Sequence, residues 1–351
     1  MQYHGLGTSG LKVSPLCLGT MMFGGPTDEP TAGRIIDRAR DAGINFIDTA
    51  DGYNAGRSEM VLGRALAKDR DRWVIATKVF NPMPAPASWA GRDPNRGGLS
   101  RKWVTRETES SLTRLQTDYL DIQYLHKEDH STPLEETIGA LGDLISAGKI
   151  RYFGLSNYRA WRIAEIVRIC DQMNVPRPVV SQPYYNAMNR MPEVEELPVC
   201  AHYGIGVVPY SPLARGVLTG KYAFGAAPEA GSRAARNDAR MLQTEWREES
   251  LHIAQAFVER ATAKGCTAGQ LAVAWVLNNR LVTGAIAGPR TEAQWEDYLG
   301  ALDVAFDSAD EAFVNELVAP GHPSTPGYND PQYPIEGRVP RSSTPESAGA
   351  G

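Results

Sequence analysis

Four residues, spread over less than half of the chain, carry side chains whose chemistry fits together: Asp48, Tyr53, Lys78 and His126. Asp48 and Tyr53 stand in Asn45-Phe46-Ile47-Asp48-Thr49-Ala50-Asp51-Gly52-Tyr53. Lys78 closes Trp73-Val74-Ile75-Ala76-Thr77-Lys78, and His126 closes Tyr119-Leu120-Asp121-Ile122-Gln123-Tyr124-Leu125-His126. Each time a short apolar, strand-like run ends and a titratable residue follows. A phenol with a lysine, an aspartate and a histidine beside it would make a proton donor suited to carbonyl reduction. Singly, each has an ordinary reading: an aspartate capping a turn, a tyrosine packing on a rim, a solvated lysine, a rim histidine. The set has meaning only if the fold brings it together.

The surrounding pattern supplies such a fold. Strand-like runs at 16–19, 44–48, 73–78, 119–126, 150–154, 179–182, 205–209 and 282–287 are separated by helical stretches at 31–42, 58–68, 101–115, 133–147, 160–170, 192–203 and 268–278. Alternation of this kind predicts a parallel sheet with crossover helices. Eight units favour closure into an α/β fold of the (β/α)8 TIM barrel type over an open doubly wound sheet. Such barrels place their chemistry at the C-terminal ends of the strands. The four residues would then sit side by side at the ends of the second, third and fourth strands. Residues 1–12 predict a small hairpin. The Pro- and Gly-rich segment 81–100 and the long segment 210–247 follow strands, so both are expected as loops over the catalytic rim. The expected organisation is one barrel domain over 1–320 and a tail over 321–351 whose end, 341–351, is disordered.

Bulk properties exclude several classes. With 351 residues, 42% hydrophobic and 22% charged, the chain can bury a large core. No apolar run reaches membrane-spanning length, and no basic segment precedes an apolar leader, so neither a membrane nor export is expected. A net charge of -5 without a basic stripe argues against nucleic acid. Cys17, Cys170, Cys200 and Cys266 have no paired spacing and are expected as reduced thiols of a cytoplasmic protein. Gly5-Leu6-Gly7-Thr8-Ser9-Gly10 matches the dinucleotide fingerprint letter for letter. It lacks the preceding strand and following helix that the motif needs, and is expected as hairpin turn glycines. His126 and His130 are four apart, but Lys127 replaces the glutamate of a zinc helix, and no metal is expected. Gly154-Leu155-Ser156-Asn157-Tyr158 lacks the second glycine of a nucleophile elbow.

Over roughly residues 1–320 the chain resembles the aldo-keto reductase family. The resemblance rests on Leu6-Gly7-Thr8-Ser9-Gly10-Leu11-Lys12-Val13-Ser14, Leu18-Gly19-Thr20-Met21, Phe46-Ile47-Asp48-Thr49-Ala50 with Tyr53, Ala76-Thr77-Lys78, and Gly98-Leu99-Ser100-Arg101-Lys102. It continues in Tyr124-Leu125-His126, Gly148-Lys149-Ile150-Arg151, Gly154-Leu155-Ser156-Asn157, Gln182-Pro183-Tyr184-Tyr185-Asn186, and the run from Tyr210 to Lys221. The resemblance implies that Tyr53 is the general acid, that Lys78 lowers its pKa, that Asp48 holds Lys78 by a salt bridge, and that His126 orients or polarises the carbonyl.

It also implies NADP(H), with NAD(H) as the alternative. Tyr210 would stack on the nicotinamide, and Ser156, Asn157 and Gln182 would bond its carboxamide. Ser211, Leu213, Gly216, Leu218 and Lys221 would line the pyrophosphate loop. Gly288, Arg290, Gln294 and Asp297 would hold the adenosine end, with Arg290 suited to a 2′-phosphate. The chain departs from the family at Lys127-Glu128-Asp129, where a proline is common, at Tyr298, where asparagine often meets adenine, and at Gly288, where some relatives have lysine. The first departure would put Glu128 near a polar substrate. Phe23, Trp89 and Tyr185 are expected to rim a cleft for a small carbonyl or alcohol substrate. The family also contains cofactor-binding β-subunits of potassium channels, so a non-catalytic sensor is the second expectation. Oligomeric state is left open.

Overall fold

The computed structural model describes residues 1–84, 93–222, 224–228 and 232–333. Eight parallel strands form its centre: β3 (Leu16–Gly19), β4 (Phe46–Asp48), β5 (Val74–Val79), β6 (Leu120–Leu125), β7 (Ile150–Ser156), β8 (Val180–Gln182), β9 (Gly206–Val207) and β10 (Ala285–Ala287). They neighbour one another in the order β10-β3-β4-β5-β6-β7-β8-β9. The two ends of that row meet. Thr283 N donates to Val207 O at 2.8 Å, and Ile286 N donates to Pro209 O at 2.9 Å. The architecture is therefore the expected (β/α)8 barrel.

These runs become strands because each is apolar on both faces, as barrel strands must be. One set of side chains, including Cys17, Phe46, Ala76, Ile122, Tyr124 and Val208, fills the barrel interior. The alternate set, including Leu18, Ile47, Ile75, Leu125 and Leu155, packs outward against the helices. Those helices include α1 (Glu29–Asp41), α2 (Arg57–Leu66), α3 (Arg101–Leu115), α4 (Leu134–Ser146), α5 (Ala160–Met173) and the short α6 (Glu196–Tyr203). Side-chain caps at Asp28 and Ser100 begin α1 and α3.

The predicted hairpin is present as β1 (His4–Gly5) and β2 (Lys12–Val13), paired antiparallel. Its Leu6 and Val13 close the N-terminal end of the barrel interior. Gly7 has φ +57°, and a Cβ there would meet Gly204 O at 2.4 Å. The glycine-rich run is thus a structural plug at the end of the barrel opposite the C-terminal ends of the strands, which accounts for its misleading spacing.

Two features depart from the sequence expectation. The segment after β9 is not all loop: it contains α7 (Ala239–Thr244) and leads directly into the 17-residue α8 (Glu248–Lys264), before α9 (Ala268–Asn278). The chain also does not leave the barrel at 320. After α10 (Glu292–Gly300) and α11 (Ser308–Leu317), residues 322–333 fold back across the rim. Ser324 N donates to Met188 O at 2.8 Å, Arg247 donates to Ser324 at 2.9 Å and Thr325 at 2.7 Å, and Arg240 holds Asp330 through two bonds of 2.9 and 2.6 Å. The expected boundary at 320 therefore cuts a packed strap; 341–351 lies outside the described residues. No helix among the described residues is long and apolar enough to cross a membrane, and the four cysteines are free thiols.

Candidate active site

Asp48 ends β4, Lys78 lies next to last in β5 and His126 follows β6, so three adjacent strands deliver them to one rim. Tyr53 comes from the turn after β4. That turn is unusual: Asn54, Ala55 and Gly56 have φ of 50°, 56° and 86° in succession. Left-handed backbone at non-glycine residues costs about 1–3 kcal/mol each. Asn54 offsets some of this by donating to Met21 O at 2.9 Å and Phe23 O at 2.8 Å.

The four side chains meet. Lys78 is 1% exposed and Asp48 3%. The Lys78 ammonium donates to the Asp48 carboxylate, to Thr49 O at 2.8 Å and to the Tyr53 hydroxyl at 3.1 Å, so all three of its protons are used. The second Asp48 oxygen accepts from Gln182 Nε2 at 2.9 Å. The Tyr53 and His126 rings meet edge to face, 6.1 Å between centroids.

Charge follows from this packing. Burial pulls the Lys78 ammonium down, but the Asp48 carboxylate and Tyr53 together outweigh it and raise its pKa. Burial raises the Asp48 carboxyl, against Lys78 and Gln182. For Tyr53, burial raises the phenol pKa more than Lys78 lowers it, and Asp48 works against Lys78. Lys78 thus acts in the expected direction without winning, because burial of the phenol outweighs it and Asp48 adds to burial. His126 is held well below the ordinary imidazole range by burial first, then by Lys78 and Lys127. Asn81 presents its amide nitrogen, which only donates, to His126 Nδ1 at 3.3 Å. The neutral ring then carries its proton on Nε2 and can donate it.

These groups open onto a cavity of about 550 Å³ at the C-terminal ends of the strands. Asp48, Tyr53 and His126 line it, with Lys78 behind them. Ser156, Asn157, Gln182 and Tyr210 line it further round the rim. Tyr210 donates to Asn157 Oδ1 at 2.8 Å, Asn157 donates to His126 O at 2.9 Å, and Tyr184 stacks on one face of the Tyr210 ring. Ser211, Leu213, Gly216 and Lys221 also line the cavity, on a turn where Ser211, Ala214, Arg215 and Gly216 all have positive φ. Gly288, Arg290, Gln294 and Asp297 complete the wall beyond β10. Gln294 Oε1 accepts from Arg290 N at 2.8 Å, which fixes that backbone.

Several expected residues are elsewhere. Leu218 is fully buried beneath the turn and does not line the cavity. Phe23 is a fully buried core residue. Tyr185 is core as well: it packs on Trp275 at 5.1 Å, donates to Glu193 at 2.7 Å and accepts from Asn279 at 3.1 Å. Neither meets the cleft, because aromatic type says nothing about which side of a strand end a ring falls on. Trp89 lies outside the described residues. Glu128 is turned from the cavity and bonded to Arg159 and His130. Lys127 takes its place in the wall. Also missed from sequence are Arg215, Arg233 and Arg240 from the segment 210–247, and Gln332 and Tyr333 from the strap. The arginine clusters in that segment were the available signal; the strap carried none.

A closed (β/α)8 barrel with titratable residues gathered over the C-terminal ends of adjacent strands is the frame of many enzymes. The model of the Aldo/keto reductase family matches residues 15–319. A probable voltage-gated potassium channel subunit beta of Arabidopsis thaliana is 39% identical over 309 residues, 87% of this chain and 92% of that protein. Its namesake in Oryza sativa subsp. japonica is 38% identical over the same shares. The uncharacterized oxidoreductase YrpG of Bacillus subtilis (strain 168) is 36% identical over 344 residues, 95% of this chain and 99% of that one. The chain belongs to the aldo/keto reductase family.

Proposed function

We propose that this protein interconverts an aldehyde or ketone and the corresponding alcohol, with NADP(H) as cofactor and Asp48, Tyr53, Lys78 and His126 as its catalytic set. The observation that carries this is the buried Lys78 ammonium, bonded at once to Asp48 and to the Tyr53 hydroxyl on the wall of the cavity.

In reduction, Tyr53 donates its proton to the carbonyl oxygen as that oxygen gains charge. Lys78 then faces the phenolate that remains, and Asp48 keeps Lys78 in place. A phenol whose pKa is raised by burial is protonated at neutral pH, as a donor must be. Neutral His126, with its Nε2 proton, hydrogen-bonds the same oxygen and orients it. In oxidation Tyr53 receives the proton instead.

The donor set of the cavity fits a nicotinamide dinucleotide. Arg215, Lys221, Arg233, Arg240 and Arg290 line it, against the carboxylates Asp48 and Asp297. Such a wall suits phosphates, and Arg290 suits a 2′-phosphate in particular. Tyr210 offers its ring to a nicotinamide, and Ser156 and Asn157 offer polar groups to its carboxamide. The bound cofactor supplies the hydride, which no side chain can.

The second reading is a regulatory cofactor-binding subunit, favoured by the similarity to the two plant potassium channel β-subunits. The complete proton-donor set speaks for catalysis. A panel of aldehydes, ketones and alcohols, run with NADPH, NADH and their oxidised forms and followed by nicotinamide absorbance, separates the readings. Turnover supports the enzyme; tight cofactor binding without turnover across the panel supports the sensor.

A further inference from the structure

One charge on the cavity wall is not used by the chemistry above. Lys127 follows His126 directly and lines the cavity with it. Its ammonium lies 4.5 Å from the centroid of the Phe80 ring, just past β5. The two acids that follow it in sequence are committed elsewhere. Glu128 accepts from Arg159 N at 2.9 Å and pairs with the Arg159 guanidinium and His130, both at 3.2 Å. Asp129 accepts from Leu99 N, Ser131 N and Thr132 Oγ1, each at 2.8 Å. The run Lys-Glu-Asp is therefore split: the carboxylates build the rim and the cation faces the cavity. Among the described residues no carboxylate pairs with Lys127.

The dinucleotide phosphates do not account for it. The arginines suited to them lie after β9 and β10, whereas Lys127 follows β6, four strands from β10 in the eight-strand barrel and thus across its mouth. Lys127 lies beside the groups that would hold the carbonyl. Half-buried, and among the described residues with only a ring face to replace lost water, its ammonium is held below the ordinary lysine range by burial. An anion placed beside it would favour the charged form.

Resting on the proposed carbonyl chemistry, we propose that Lys127 is a specificity determinant, and that the preferred substrates are aldehydes or ketones carrying a carboxylate a few bonds from the carbonyl. With the carbonyl oxygen at Tyr53 and His126, the carboxylate reaches the neighbouring Lys127 across the same cavity wall.

The test compares 4-carboxybenzaldehyde with its methyl ester, using the full chain and NADPH. The kcat/KM ratio of acid to ester is expected to exceed one in the parent protein and to fall about ten-fold or more in Lys127→Met, since a charge-assisted bond is lost. The fall should appear as a higher KM for the acid, and Lys127→Arg should retain the preference. A parent protein with no preference for the acid, or a Lys127→Met variant that keeps it, overturns the proposal. Calorimetric titration of 4-(hydroxymethyl)benzoate and its methyl ester into the NADPH-loaded protein reads the same pairing without turnover. Carboxylate-dependent binding that Lys127→Met abolishes supports Lys127 even if neither aldehyde is reduced, a failure that would fall on the Tyr53 chemistry. Equal binding of acid and ester overturns it.

Discussion

Lys78 sits where three requirements meet: a carboxylate to keep it charged, a carbonyl oxygen to fix its direction and a phenol to serve. Removing it should therefore act twice. Lys78→Met leaves Asp48 buried without its counter-charge, and breaking such a pair costs about 3–5 kcal/mol. It also leaves the Tyr53 phenolate unsupported, so kcat should fall by roughly 10²–10⁴-fold. Denaturant melts and steady-state rates check both; full stability with full activity would refute the coupling. His126 gives the pH prediction. Its folded pKa is depressed, so the ring takes a proton only well below the ordinary ~6.5. Nitrogen NMR should find it neutral across pH 6–8, and reduction should show no histidine limb there. A ring titrating near 6.5 would contradict the packing described.

At the scale of elements, the sequence was most legible where chemistry and periodicity coincide. Asp48, Lys78 and His126 were found because each ends an apolar run, and strand ends are where a barrel presents side chains. Ser156, Gln182 and Tyr210 came instead from the resemblance to the aldo-keto reductase family, and they line the same cavity. Sequence reading failed where position depends on which way a side chain turns, as for Phe23, Tyr185 and Leu218, all buried, and for the Lys127–Glu128 pair, whose roles are exchanged. It failed again where partners are remote. Nothing local announces that Asp330 meets Arg240, or that Tyr328 lies under Arg247 with 4.0 Å between guanidinium and ring centroid. Because Arg240 and Tyr333 both line the cavity, α7 and the strap should tighten together when cofactor binds. Hydrogen exchange over 239–247 and 324–333 should slow on adding NADPH. Unchanged exchange in both segments would mean that they only frame the site.

On the scale of the whole molecule, closure does the work. Short strands of two to seven residues hold register because the barrel has no free edge and its interior is filled by alternate side chains. The hairpin plugs the end away from the cavity, and the loops and strap build the end that holds it. That asymmetry explains why the glycine-rich run at 5–10 packs at the closed end while the scattered set of four gathers at the cavity.

The central claim is that Tyr53 donates the proton, and it is tested most directly by Tyr53→Phe. On an aldehyde or ketone that the parent protein reduces well, kcat is expected to fall by at least 10²–10⁴-fold, with NADPH affinity by fluorescence titration close to that of the parent. Near-normal turnover in Tyr53→Phe would contradict the account, whatever the fold and family.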